Sequence, residues 1–268
     1  MYKVIFIDID GTLRNSKREL TNRTISAIKK VMQKGILVVL CSGRPQKFTE
    51  DVSRECGASQ YVITSNGANI YDYRQHKNLY ISSMDKKACI ELYNIAIRAG
   101  VRLVMNVGPT KVVSKLRKKD GSETELKTDI ETFVNENNIE QCLIEDTDFE
   151  KVKPLKEQIE KVKNVEIKNQ HKSLINPNVP REGTIYYDIA NIEVNKGNAI
   201  KKLCEILDIN LKDTIAIGDD YNDISMFKVA GYNVVMGNAI EEVKKYADEI
   251  TLTNNQDGVA IFLEKLIK

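Results

Sequence analysis

Four short apolar runs, each ending in a polar turn, constrain the fold of this 268-residue chain more than any other feature. They are Val4–Ile7, Ile36–Cys41, Tyr61–Thr64 and Thr214–Ile217. Each is too short for a helix and is apolar at nearly every position instead of alternating. That pattern marks strands covered on both faces, as in a parallel sheet. Segments of helical period lie between them. Thr21 can cap a helix whose inner face holds Ile25, Ile28 and Val31 before Gly35 stops it. A second helix follows Pro45 to about Cys56, and a third starts at Lys196 with Ala199, Ile200, Leu203 and Leu207 on one face. The alternation predicts an α/β chain with a Rossmann-like three-layer core, a mainly parallel sheet with helices on both sides.

After Asn66-Gly67 the rhythm changes. Ile70–Tyr73 reads as part of a hairpin, and a new unit begins near Ser82. Its pattern predicts a helix to about Ala99, a strand at Val101–Val107 and a charged stretch at Lys115–Glu125. A helix at Ile130–Asn137, a strand at Gln141–Ile144, a helix at Asp148–Lys163 and strands at Val165–Ile167 and Ile185–Ile189 follow. Asn169–Gly183, with Pro177 and Pro180, reads as an irregular loop. The core rhythm returns at Lys196, with a strand at Asn233–Met236 and helices from about Ile240 and Gly258. The expected plan is a core domain in two segments, 1–81 and 191–268, around an inserted α+β domain at 82–190.

Composition excludes several functions. A net charge of +2, without a basic stripe interleaved with aromatics, gives no nucleic-acid partner. No window approaches the roughly 18 apolar residues of a membrane span, and Asp8 and Asp10 interrupt what would be the apolar part of a secretory signal. Five scattered cysteines without a CxxC pair read as reduced thiols of a cytoplasmic protein. The two histidines, His76 and His171, are too few for a histidine metal centre or a Ser-His-Asp relay. Nothing implies an obligate protein partner.

The polar turns carry the chemistry. Asp8 and Asp10 are two apart on a loop leaving a buried strand, and close carboxylates need a cation or a shared proton. Magnesium, with its preference for hard oxygen ligands, suits them. Ser42, Gly43 and Arg44 end the second strand at the start of a helix, where a hydroxyl and backbone N–H groups can bind a phosphoryl oxygen. Lys196 opens another helix, a place where a cation opposes the dipole and calls for an anion nearby. Asp219, Asp220 and Asp223, with Asn222 among them, follow the fourth strand. In a parallel sheet such strand ends converge on one crevice, which also takes in Asn66. Several acids, one hydroxyl and one lysine describe a magnesium–phosphate site for a small phosphorylated metabolite. No GxxxxGK[ST] run or GxGxxG turn makes a nucleotide cradle.

These segments together resemble the haloacid dehalogenase-like superfamily, and within it the Cof-type phosphatase branch. The likeness is carried by IDIDGTL at Ile7–Leu13, CSGR at Cys41–Arg44, NGA at Asn66–Ala68, NKG at Asn195–Gly197 and GDDYND at Gly218–Asp223. MGNA at Met236–Ala239 and NNQDGVA at Asn254–Ala260 extend it. The resemblance implies a covalent phosphatase mechanism: Asp8 as nucleophile, Asp10 as general acid and base, and Mg2+ held by Asp8, the Asp10 backbone carbonyl and Asp219, with Asp223 supporting the ion from behind. Ser42, Gly43, Lys196 and Asn222 would bind the phosphoryl group, and Arg44 and Asn66 would line the substrate pocket. The inserted domain would act as a cap that selects the leaving group. It departs from relatives at Tyr187-Asp188-Ile189 and in the length of the Asn169–Gly183 loop. A sugar phosphomutase or a non-catalytic phosphate- or metal-binding module remains the alternative, and a dehalogenase is disfavoured by the second aspartate.

Overall fold

The computed structural model describes residues 2–117, 121–176 and 178–268. Pro177 and residues 118–120 of the charged stretch therefore lie outside the described residues. The chain divides into two compact units. One gathers the chain up to Tyr80 together with Asn195–Lys268, and the other is Ile81–Val194.

In the first unit, strand β1 (Val4–Ile7) leads through the polar turn to helix α1 (Asn22–Gln33). Thr21 caps α1 by accepting from the Thr24 N–H, and Gly35, with φ +80°, follows its end. Next come β2 (Leu37–Cys41), α2 (Gln46–Cys56), β3 (Tyr61–Thr64), β4 (Asn69–Asp72) and β5 (Lys77–Ile81). The second unit contributes α3 (Lys86–Arg98), β6 (Arg102–Val107), β7 (Thr110–Val113), β8 (Thr124–Glu125), α4 (Ile130–Glu136) and β9 (Gln141–Asp146). Short helices α5 (Phe149–Val152) and α6 (Lys156–Ile159), then β10 (Val165–Gln170) and β11 (Ile185–Asn191), complete it. The first unit resumes with α7 (Lys196–Ile206), β12 (Thr214–Gly218), α8 (Ile224–Phe227), β13 (Tyr232–Val235), α9 (Glu241–Lys244), β14 (Glu249–Ile250) and α10 (Gly258–Leu266).

The first unit's sheet runs β14-β13-β12-β1-β2-β3-β4-β5, parallel from β14 to β3, with β4 antiparallel to β3. Strand β1 lies between β12 and β2, so Val4 pairs with both Thr214 and Leu37. Its side chains divide between two cores. Ile5 and Ile7 pack with Ile28 and Val31 of α1, Val52 of α2 and Phe262 of α10. Val4 and Phe6 pack with Ile200 and Leu203 of α7 and Phe227 of α8. Helices on both faces explain why every position of β1 is buried.

The second unit's sheet runs β10-β11-β9-β6-β7-β8, antiparallel except for the short β7–β8 pair. One core backs it, in which Leu92 of α3 meets Leu103, Ile144 and Tyr187. Three local expectations are corrected here. The helix expected at Asp148–Lys163 is interrupted by a 3-10 turn at Lys153–Leu155, because Pro154 has no N–H to give. The loop expected from Asn169 begins later, since Asn169 and Gln170 extend β10 beside Asp188 and Tyr187. Thr110–Val113, which drew no strand expectation, pairs with β6, and Thr124–Glu125 of the charged stretch pairs with β7. Among the described residues, no helix is long and apolar enough to cross a membrane.

Candidate active site

The site lies wholly in the first unit, at the C-terminal ends of β1, β2, β3 and β12. Asp8 follows β1 directly, and its N–H donates to the Ile217 carbonyl at 3.0 Å. Two bonds close the turn behind it, from the Leu13 N–H to the Asp8 carbonyl at 3.2 Å and from the Arg14 N–H to the Ile9 carbonyl at 3.0 Å. Gly11 takes φ +87° at the bend.

Lys196 is the first residue of α7, yet its side chain is buried. Its Nζ donates to Asp8 Oδ1 at 2.5 Å and to Asp223 Oδ1 at 2.7 Å. The other Asp223 oxygen accepts from the backbone N–H groups of Asp219 and Asp220 at 2.9 and 3.1 Å. Asp223 is thus committed on both oxygens: it anchors the lysine and shapes the turn that carries Asp219. Asp219 Oδ1 in turn accepts from the Thr12 hydroxyl at 2.7 Å.

Asp8, Asp219 and Asp223 each offer an oxygen, all within 4.8 Å of one another. Three carboxylates face a single ammonium. Burial pushes the Asp8 carboxyl well above its usual range; Lys196 opposes the rise, and Asp223 and Asp219 add to it. Burial, followed by repulsion from Asp223, raises Asp219 to about 7 against a lowering by Thr12. Burial works to lower Lys196, but Asp223 and Asp8 outweigh it and hold the ammonium charged. A buried cluster with surplus negative charge, made only of oxygen donors, fits a hard divalent cation.

The neighbouring residues form a second group. Ser42 is buried at the end of β2, where its N–H donates to the Ile63 carbonyl at 2.9 Å and its Oγ accepts from the Arg44 N–H at 3.2 Å. Gly43 lies against Asn66; a Cβ there would stand 2.9 Å from Asn66 Oδ1. Asn66, held at φ +57°, accepts at Oδ1 from Asn222 Nδ2 at 3.1 Å. Asp10 does not join the buried carboxylates. It is partly exposed and receives two hydrogen bonds from Arg44, at 2.7 Å from Nε and 3.0 Å from an Nη.

Two near-site residues were not singled out from the sequence. Thr12 holds Asp219, and Asn238 Nδ2 donates to the Gly11 carbonyl at 2.8 Å and reaches Asp219 Oδ2 at 3.4 Å. Asn254 braces the same loop: its N–H donates to Asn238 Oδ1 and its side chain to the Arg14 carbonyl, both at 2.9 Å. The available signal for Thr12 and Asn238 was that both sit inside the quoted motifs. Asp257 is farther out and accepts from the Thr21 hydroxyl at 2.7 Å.

A family model for haloacid dehalogenase-like hydrolases matches residues 5–263. The 5-amino-6-(5-phospho-D-ribitylamino)uracil phosphatase YwtE of Bacillus subtilis is 29% identical, over 99% of this chain and 98% of that protein. The B. subtilis enzyme of the same name designated YcsE is 31% identical, over 96% of this chain and 93% of its own length. A crystal structure of a haloacid dehalogenase-like hydrolase from Bacteroides thetaiotaomicron matches with a TM-score of 0.83 and 29% identity, covering 99% of this chain and 100% of that one. With the match to the family model running through β1, the lysine helix and the acidic turn after β12, the chain belongs to the haloacid dehalogenase-like hydrolases.

Proposed function

We propose that this phosphoric monoester hydrolase is a magnesium-dependent phosphatase of small sugar or cofactor phosphates, with Asp8 as its nucleophile. The observation that carries this reading is the buried ammonium of Lys196 shared between Asp8 and Asp223, next to Asp219. Lys196 opposes the rise that burial imposes on Asp8 and so favours the ionised carboxylate that a nucleophile must be.

An Asp8 oxygen forms the new bond to phosphorus while the bond to the leaving oxygen breaks, and Asp10 gives that oxygen its proton. Asp10 then takes a proton from water; the water oxygen bonds to phosphorus, the Asp8–phosphorus bond breaks, and inorganic phosphate and free Asp8 result. Asp8, the Asp10 carbonyl and Asp219 would hold the magnesium ion, with Asp223 orienting them from behind. Bound there, the ion supplies positive charge that lets a phosphate dianion approach a carboxylate. Ser42, Gly43, Lys196 and Asn222 bind the phosphoryl oxygens, and Asn66 and Arg44 lie at the rim. Positioning and charge do most of the work in such transfers.

The inserted unit, bounded at 82–190 from the sequence, acts as the cap that selects the leaving group. Five buried free thiols support a reducing, cytoplasmic setting. The names of the two B. subtilis relatives make 5-amino-6-(5-phospho-D-ribitylamino)uracil a substrate to include with sugar phosphates in a phosphate-release panel. Metal-dependent release that disappears in Asp8→Asn is the expected result. A folded, magnesium-loaded protein that releases no phosphate and forms no aspartyl phosphate from any donor sinks the reading.

A further inference from the structure

We infer that Arg44 is the positioning residue for Asp10, and that its guanidinium fork fixes the carboxyl for proton transfer. This rests on the reading of Asp10 as the general acid and base.

Both Asp10 oxygens accept from Arg44, one from Nε at 2.7 Å and one from an Nη at 3.0 Å. Two parallel bonds from a planar fork define the plane and direction of a carboxyl group, which a single bond or a point charge does not. The arginine is itself held. Its N–H donates to Ser42 Oγ at 3.2 Å, and its carbonyl accepts from the Ser65 N–H at 2.9 Å. The Phe48 ring lies 5.3 Å from the guanidinium carbon. The fork is therefore built on the end of β2 and the turn after β3, and it reaches the turn that follows β1.

Stability does not account for this arrangement. The two side chains are 44% and 41% exposed, and ion pairs that open to water contribute little to folding. Asp10 stands on a turn, with rotational freedom about its own side-chain bonds. A general acid must point at the leaving oxygen, and a small misplacement of such a group removes much of its effect. Arg44 removes that freedom before substrate arrives, and its two bonds take one lone pair of each Asp10 oxygen, leaving a second on each for the proton that is given and taken.

The test compares two leaving groups. A sugar or alkyl phosphate expels a strongly basic alkoxide that needs a proton from Asp10. p-Nitrophenyl phosphate expels a weak base that leaves without one. First-turnover release isolates this step from hydrolysis of the aspartyl phosphate. For Arg44→Gln we expect alcohol release to slow by about 100-fold and p-nitrophenolate release by less than about 3-fold. Arg44→Lys keeps the charge without the fork and should behave like Arg44→Gln. Asp10→Asn, run alongside, should discriminate in the same direction. Because the pair is exposed, the melting temperatures of the variants should stay near that of the parent, which separates positioning from folding.

Equal slowing of both leaving groups in Arg44→Gln, with Asp10→Asn still discriminating, overturns the role of Arg44 alone. Full recovery in Arg44→Lys overturns the fork. If Asp10→Asn slows both leaving groups alike, the general-acid reading falls and the role of Arg44 falls with it.

Discussion

Lys196 Nζ and Asp8 Oδ1 stand 2.5 Å apart, both out of reach of bulk water, with Asp223 closing the other side of the ammonium. Replacing one partner of such an arrangement does not have a symmetric effect. Lys196→Met leaves two buried carboxylates without their cation and should destabilise the fold by about 3–5 kcal/mol. Asp8→Asn removes a carboxylate whose charge burial disfavours, while Asp223 still pairs with the lysine. It should abolish phosphate release yet melt at the same temperature as the parent or higher when metal is absent. Thermal denaturation of both variants in a chelating buffer checks this; a loss in Asp8→Asn as large as in Lys196→Met refutes it.

The metal-free protein should lose stability as pH rises toward neutrality. In the folded chain Asp219 is raised from 3.8 to about 7, first by burial and then by Asp223. The unfolded chain gives up that proton near 3.8. Between these values the folded state binds the extra proton, so stability falls across this window and levels off above it. Magnesium must displace the same proton, so its stabilising effect should be larger at pH 8 than at pH 6. Melting curves at the two pH values, with and without magnesium, give the sign directly.

Thr12 offers a narrower probe. Its hydroxyl donates to Asp219 Oδ1 and lowers the carboxyl against burial. Thr12→Val keeps the shape but removes the donor, which should weaken magnesium binding by about 10-fold or more. Thr12→Ser should restore it. Calorimetric titration with magnesium measures both; unchanged affinity in the valine variant would show that Asp219 is held by the backbone alone.

Gly11 tests the turn itself. It has φ +87°, and a Cβ there would run into the Asp219 carboxylate. Gly11→Ala should cost about 1–3 kcal/mol in backbone strain. It should also push Asp219 out of place, so the shift in melting temperature on adding magnesium shrinks more than the loss of stability alone explains.

The parts of this molecule that could be read without coordinates share one property: the local pattern and the tertiary environment agree. Val4–Ile7 is apolar throughout because it is covered on both faces, and the polar residues after it had to lie at a strand end. Thr21 announced a cap and was found as one. Elsewhere the environment overrode the local signal. A lysine opening a helix is ordinarily solvated, and nothing around Asn195-Lys196-Gly197 showed that its ammonium would be buried between Asp8 and Asp223. The Arg44–Asp10 fork joins two turns that are distant in sequence, so only the order β1-β2-β3 in the folded sheet brings them within reach. Thr110–Val113 is short and half polar, and it becomes a strand because β6 supplies its partner. Asn238 acts through the Gly11 backbone carbonyl, and carbonyls leave no trace in a sequence.

Strand β1, placed between β2 and β12, has a consequence for how the protein is made. On the ribosome, Val4 can pair once Leu37 has followed it, but its other neighbour, Thr214, is translated only after the whole inserted unit. Until then the nascent chain carries Asp8 beside an unsatisfied strand edge, the kind of surface that recruits strands from other molecules. A message cut short before β12 yields a polypeptide with Asp8, but without the lysine's second anchor at Asp223 or the carboxylate of Asp219. Synthesis thus postpones the assembly of the buried carboxylate–lysine cluster until the segment beyond the inserted unit has arrived.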